Sequence, residues 1–138
     1  MLAIITGASK GIGRAVTEAF AAEGFDLAIC ARNEQDLADL TEQLHSAYPE
    51  IRIFYSAFDC ADRESLLGFV DEVSEQFDTI DVLVNNVGLY VPGSIMDEED
   101  GNLEQMINTN LYSAYYLSKY FAGVMIEERK GHFFNICS

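Results

Sequence analysis

Apolar residues fall along this chain in two alternating textures. Short, nearly unbroken apolar runs occur at Leu2–Thr6, Asp26–Ala31, Ile51–Ala57, Asp81–Asn85 and His132–Cys137. Between them lie longer stretches in which apolar residues recur every third or fourth position: Gly11–Glu23, Glu34–Ala47, Arg63–Phe77 and Asn102–Glu128. The first texture predicts buried strands and the second amphipathic helices. In the first helix Ile12, Ala15, Val16, Ala19 and Phe20 share a face, in the second Leu37, Leu40 and Leu44, and in the third Leu66, Phe69, Val70, Val73 and Phe77. Gly24 and Pro49 supply stop signals. Strands that are apolar on both sides belong in a parallel sheet covered by helices on both faces. Right-handed crossovers then order the strands 3-2-1-4-5, a doubly wound α/β sheet of Rossmann type with its ligand crevice at the carboxyl ends of strands one and four. No linker, low-complexity tract or repeat interrupts the pattern, so residues 1–138 read as a single domain.

The last helix departs from the simple stripe. Beyond Leu103, Met106 and Ile107 it carries Tyr112, Tyr115, Tyr116, Tyr120 and Phe121, which reach round more than one face. Such a helix is expected to be covered by more than its own sheet.

Charge excludes some partners. Against 8 lysines and arginines stand 23 aspartates and glutamates, a net charge of −15. Non-specific attraction to nucleic acid or to an anionic membrane is not expected from such a chain. The acid is expected on solvent faces, as in Glu34, Asp36, Asp39 and Glu42 and the run Asp97 to Asp100. The three cysteines lack metal-like spacing; Cys30 and Cys137, in apolar strands, are expected to be small buried hydrophobes. A reducing, cytoplasmic setting is the expectation, with no signal peptide and no membrane span.

Candidate chemistry begins at Thr6-Gly7-Ala8-Ser9-Lys10-Gly11-Ile12-Gly13, where the first strand runs into closely spaced glycines and then a helix. Glycine permits the sharp turn, and its missing Cβ lets a pyrophosphate approach the main chain. The helix start offers unpaired N–H groups and partial positive charge to the anion. Strand, turn and helix in this order predict a nucleotide cofactor site.

The Thr-Gly-x-x-x-Gly-x-Gly spacing resembles the short-chain dehydrogenase/reductase family, and so do later landmarks: Asp59, Asn85-Asn86-Val87-Gly88, Asn110 and Asn135-Ile136-Cys137-Ser138. The resemblance implies a nicotinamide dinucleotide held by Gly7, Ser9, Lys10, Gly11, Ile12 and Gly13. It also implies an adenine contact from Asp59 and Cys60, and an adenosine-ribose wall from Asn86, Val87 and Gly88, where Val87 replaces the family's usual alanine. The family's NAD-selecting acid would fall at Ala31, which cannot serve; Arg32 comes next, and Lys10 resembles the second basic residue of NADP-binding members. NADP(H) is therefore the expected cofactor, with guanidinium and ammonium taking the 2′-phosphate.

For chemistry the resemblance implies reduction of a small-molecule carbonyl (an oxoacyl thioester, a pterin, a steroid or a sugar) to an alcohol by hydride transfer. Ser138 matches the serine that polarises the carbonyl. Asn110, with Asn108 as its competitor, matches an asparagine that positions a water. Tyr90, Val91 and the stretch Gly93–Met96 are expected near the substrate. Tyr115 and Lys119 fit Tyr-x-x-x-Lys, but they precede the serine on the helix of Asn110 and are expected to point away from Ser138. The proton-donating pair is expected beyond Ser138, so the chain reads as the N-terminal portion of a longer reductase. A homodimer or homotetramer through the Asn102–Glu128 helix is also implied. The alternative is a non-catalytic NADP(H)-binding module.

Overall fold

A computed structural model describes residues 1–137. The elements run β1 (Leu2–Thr6), α1 (Gly11–Ala22), β2 (Asp26–Ala31), α2 (Glu34–Ala47), β3 (Ile53–Ala57), α3 (Arg63–Gln76), β4 (Val82–Asn85), α4 (Asn102–Ile107), a π-helical turn (Asn108–Tyr112), α5 (Ser113–Glu127) and β5 (His132–Asn135). The strands form one parallel sheet in the order β3-β2-β1-β4-β5, as the apolar runs predict.

Alternation within the strands sorts the core into two layers. Leu2, Ile4, Ala28, Cys30 and Leu83 face Leu66, Phe69 and Val73 of α3 and Leu117, Phe121 and Met125 of α5. Ala3, Ile5, Leu27, Ile29, Val82 and Val84 face the other way, onto Ala21 of α1 and Leu37, Leu40 and Leu44 of α2. Both sides of β1 and β2 are therefore dry, which is why these strands carry no polar alternation. The crossover changes face between the β1–β2–β3 half and β4. That change opens a crevice outside the carboxyl ends of β1 and β4.

The structure corrects several expectations. The face that α1 buries is Gly13, Thr17 and Ala21, whereas Ile12 is 60% exposed and Ala15 and Ala19 are also exposed. Small residues let the helix axis come close to the sheet; Val16 and Phe20 only flank the contact. The helix expected over Asn102–Glu128 is interrupted by the π turn, where the Ser113 N–H donates to the carbonyl of Asn108. Strand β3 starts at Ile53, not Ile51, although Ile51 is buried in the preceding turn. Strand β5 ends at Asn135, so Cys137 lies past it and is exposed, not a buried hydrophobe. All four residues of β5 are exposed, and the strand pairs only with β4.

Asp81 ties the strand starts together. Its Oδ2 accepts from the Leu2 N–H at 2.8 Å and its Oδ1 from Lys130 Nζ at 2.8 Å, while the backbone carbonyl accepts from His132 at 2.9 Å. The side chain is only 12% exposed. Burial alone would raise its pKa, but Lys130 and the Leu2 N–H outweigh burial and hold it below the usual carboxylate value. A depressed folded pKa contributes stability above the unfolded value and loses it as pH falls through the folded one. Asp81→Asn is therefore expected to cost about 1 kcal/mol near neutrality. Urea midpoints of the two full-length proteins should converge as the pH drops into the acid range.

Candidate functional site

The glycine turn is built by hydrogen bonds on both flanks. Gly7 takes φ +64° and Gly11 φ +55°, values that residues with a Cβ rarely adopt. The Ala8 N–H donates to the carbonyl of Cys30 at 3.1 Å, which seats the turn on the end of β2. Gly13 lies directly beneath: a Cβ there would overlap the Gly7 carbonyl oxygen and stand 2.5 Å from Asn86 Nδ2. Helix α1 opens from an extended Lys10 with no side-chain cap and no acid in its first turn. Helices α2 and α3, by contrast, are capped by Asn33 and Asp62 and carry acid in the first turn. The uncapped N–H groups of α1 are thus left to an outside acceptor.

A second set of bonds joins the turn to β4. Thr6 Oγ1 accepts from the N–H groups of Asn86 and Val87, each at 3.0 Å. Asn86 Nδ2 donates to the carbonyls of Thr6 at 3.0 Å and Gly7 at 3.2 Å.

Over this floor lies a groove of about 320 Å³. Its walls bring together Gly7, Ser9, Lys10, Arg32, Cys60, Asn86, Val87 and Gly88 from the residues expected on sequence, joined by Ala31, Asn33, Asp36 and Phe58. The rest of the expected set lies outside the lining. Gly11 and Ile12 stand in solvent at the start of α1, Gly13 is buried below, and the Asp59 carboxylate accepts from the Ala61 N–H at 2.9 Å. Asn33 and Phe58 escape sequence reading, although the helix-capping position of Asn33 could have marked the rim. Lys10 Nζ pairs with Asp36 Oδ2 at 2.8 Å, whereas Arg32 has no ion-pair partner among the described residues. The Cys60 thiol is turned inward, 3.9 Å from that of Cys30. This contact and burial push the Cys30 thiol well above its ordinary pKa, so Cys30 is not a ready nucleophile.

At the far end of the crevice a hollow of about 410 Å³ is lined by Asn85, Val87, Asn110, Tyr115, Ser118, Asn135, Ile136 and Cys137 among others. Asn85 Nδ2 donates to Asn135 Oδ1 at 2.9 Å and to Ser118 Oγ at 3.2 Å, joining β4, β5 and α5. The Asn110 side chain makes a two-way bridge to Leu89: Oδ1 accepts from the Leu89 N–H at 2.7 Å and Nδ2 donates to the Leu89 carbonyl at 2.8 Å. It works as a clamp on the strand exit. Tyr115 lines this hollow; the expectation that it points away from Ser138 turns on a residue outside the described ones. The extra residue of the π turn rotates the remainder of the helix by about 100° relative to a straight one. Lys119 lies with its Nζ 5.9 Å from the Tyr120 ring centre. Ser138 lies outside the described residues. Of the segment expected near a substrate, Tyr90, Val91 and Gly93 to Ile95 line a third hollow of about 590 Å³, together with Asp97, Glu98, Glu99 and Met106.

A doubly wound sheet with an uncapped glycine turn at its switch point defines a dinucleotide-binding protein of Rossmann type. The family model for short chain dehydrogenase matches residues 1–138, and the chain belongs to that family. It is 33% identical over 139 aligned residues to the bovine (Bos taurus) dehydrogenase/reductase SDR family member 7B, covering 98% of this chain and 43% of the bovine protein. Among solved structures, the bulky-bulky ketone specific alcohol dehydrogenase of Comamonas testosteroni superposes with a TM-score of 0.92 at 27% identity, over 99% of this chain and 54% of that one. The L-sorbose reductase of Gluconobacter frateurii, complexed with NADPH and L-sorbose, superposes with a TM-score of 0.90 at 30% identity, over 96% of this chain and 50% of that one. The chain thus spans about half the length of the relatives it matches. Among the described residues no helix is long and apolar enough to cross a membrane.

Proposed function

We propose that this chain is the NADP(H)-binding part of an oxidoreductase that reduces a carbonyl substrate to an alcohol. The observation that carries the cofactor choice is the groove rim: Lys10 and Arg32 line it, and Ala31 stands where an acid would select the unphosphorylated ribose. The residues fit the group. The α1 N–H groups take the pyrophosphate over a floor that admits no Cβ at Gly13, and Lys10 and Arg32 take the 2′-phosphate. Asn86, Val87 and Gly88 wall the adenosine side, and the inward Cys60 and exposed Asp59 close the adenine end. When bound, the nicotinamide supplies or accepts the hydride.

On the substrate side, Asn110 acts as a positioning residue, since its clamp on Leu89 fixes where the chain leaves β4. Ser138 would polarise the carbonyl, and the proton donor would come from residues outside this sequence. The sorbose and bulky-ketone relatives support a small-molecule carbonyl substrate. The exposed face of the π turn and α5, with Tyr112, Tyr115 and Tyr120, is the surface through which two copies would pair.

The test is a pair of fluorescence titrations of the full-length protein with NADPH and NADH, then a panel of ketones and aldehydes. NADPH is expected to bind at least tenfold tighter and to be consumed with one or more carbonyls. Equal affinities would overturn the phosphate assignment. Tight NADPH binding without turnover of any carbonyl would favour a non-catalytic binding module.

A further inference from the structure

We propose that Asp36 is a specificity-determining residue of the nucleotide groove: it holds Lys10 in an ion pair that a 2′-phosphate must displace, and so sets how strongly the phosphorylated cofactor is preferred. This rests on the NADP(H) reading of the same groove.

The pair is unequal in its anchoring. Asp36 sits in the first turn of α2, and its own N–H is held by the Asn33 side chain at 3.0 Å. Its position is thus set by a capped helix. Lys10 hangs on a flexible four-carbon stem with a side chain 76% exposed, against 30% for Asp36. Lysine can leave; aspartate cannot. The Asp36 Oδ2 atom is shut off from solvent and receives no well-directed hydrogen bond, so the ammonium at 2.8 Å is its counter-charge.

Asp36 lines the groove beside Lys10, Arg32 and Asn33, the residues that form its phosphate end. A phosphate seated between Lys10 and Arg32 therefore meets a carboxylate well inside the screening length of about 8 Å at physiological salt. Two effects then oppose the phosphate: loss of the Lys10–Asp36 pair, and like charge from a carboxylate that cannot withdraw. A cofactor without the phosphate has no group to displace the pair. Asp36 thus acts on the difference between the two cofactors, without touching the ring that reacts. The device differs from the family's acid at the strand end, a place filled here by Ala31; this acid lies a helical turn further on and works through a lysine.

Dissociation constants for NADPH and NADH on full-length wild type, Asp36→Asn, Lys10→Met and the double variant test this, with thermal unfolding run alongside. Asparagine is expected to tighten NADPH roughly tenfold, equivalent to about 1.4 kcal/mol, and to change NADH less than twofold. In the Lys10→Met background the gain should shrink by more than half, because no lysine remains to be released. Unchanged or weaker NADPH binding in Asp36→Asn, with NADPH preference lost in Lys10→Met, would overturn the latch and leave the phosphate site standing. NADPH and NADH bound alike in all four proteins would instead overturn the NADP(H) reading beneath it.

Discussion

Gly13→Ala is expected to abolish dinucleotide binding and to lower stability by roughly 3 kcal/mol, the upper part of the overpacking range. The added methyl would overlap the Gly7 carbonyl oxygen and press on Asn86 Nδ2. Neither neighbour can yield cheaply. Gly7 holds a positive φ, and the Asn86 amide is already shared between the carbonyls of Thr6 and Gly7. Relief requires α1 to lift from the sheet, which moves the N–H groups meant for the pyrophosphate. Gly11→Ala is the informative contrast: its φ is +55° but nothing lies within 4 Å of the new Cβ. It should cost only about 1 kcal/mol of backbone strain. Urea midpoints and NADPH titration of the two variants would separate steric filling from conformational strain. Equal, small losses would mean that α1 does not pack tightly beneath the turn.

Arg32→Asp is expected to weaken NADPH binding by two orders of magnitude and to leave NADH within about threefold. One charge-assisted contact of roughly 1.5–3 kcal/mol disappears, and a like charge takes its place. With Asp36 already on the same rim and only Lys10 opposing it, the phosphate would face net negative charge. The new acid sits just past the end of β2, close to where a carboxylate can accept from the ribose hydroxyls, so NADH could even gain. Parallel loss for both cofactors would show that Arg32 supports the groove and does not read the phosphate.

The sheet and its order are legible in the sequence because β1 and β2 are apolar at nearly every position, and only burial on both faces tolerates that. The turn is legible because glycine spacing reports backbone geometry directly. Other features resist sequence reading for physical reasons. The contact face of α1 is Gly13, Thr17 and Ala21, whose hydropathy is unremarkable and whose qualification is small size. The π turn has no local signature, since it accompanies a tertiary bond, the clamp of Asn110 on Leu89, made across 21 residues. The placement of Tyr115 depends on that turn and is hidden for the same reason. By sequence Asp36 is one of many solvent acids; its neighbour Lys10 is distant along the chain and meets it only because β1 and β2 lie side by side in register.

The Thr6 hydroxyl receives two backbone N–H groups from the exit of β4, and Asn86 returns two bonds to the exit of β1. Four bonds thus splice the strand ends that form the two banks of the crevice. The consequence is kinetic. With its banks spliced, the backbone there is expected to stay in place as a nucleotide arrives, so that rearrangement falls to the rim side chains. An incoming dinucleotide would meet a finished floor, and its arrival would be limited by encounter, since exposed side chains rearrange within nanoseconds.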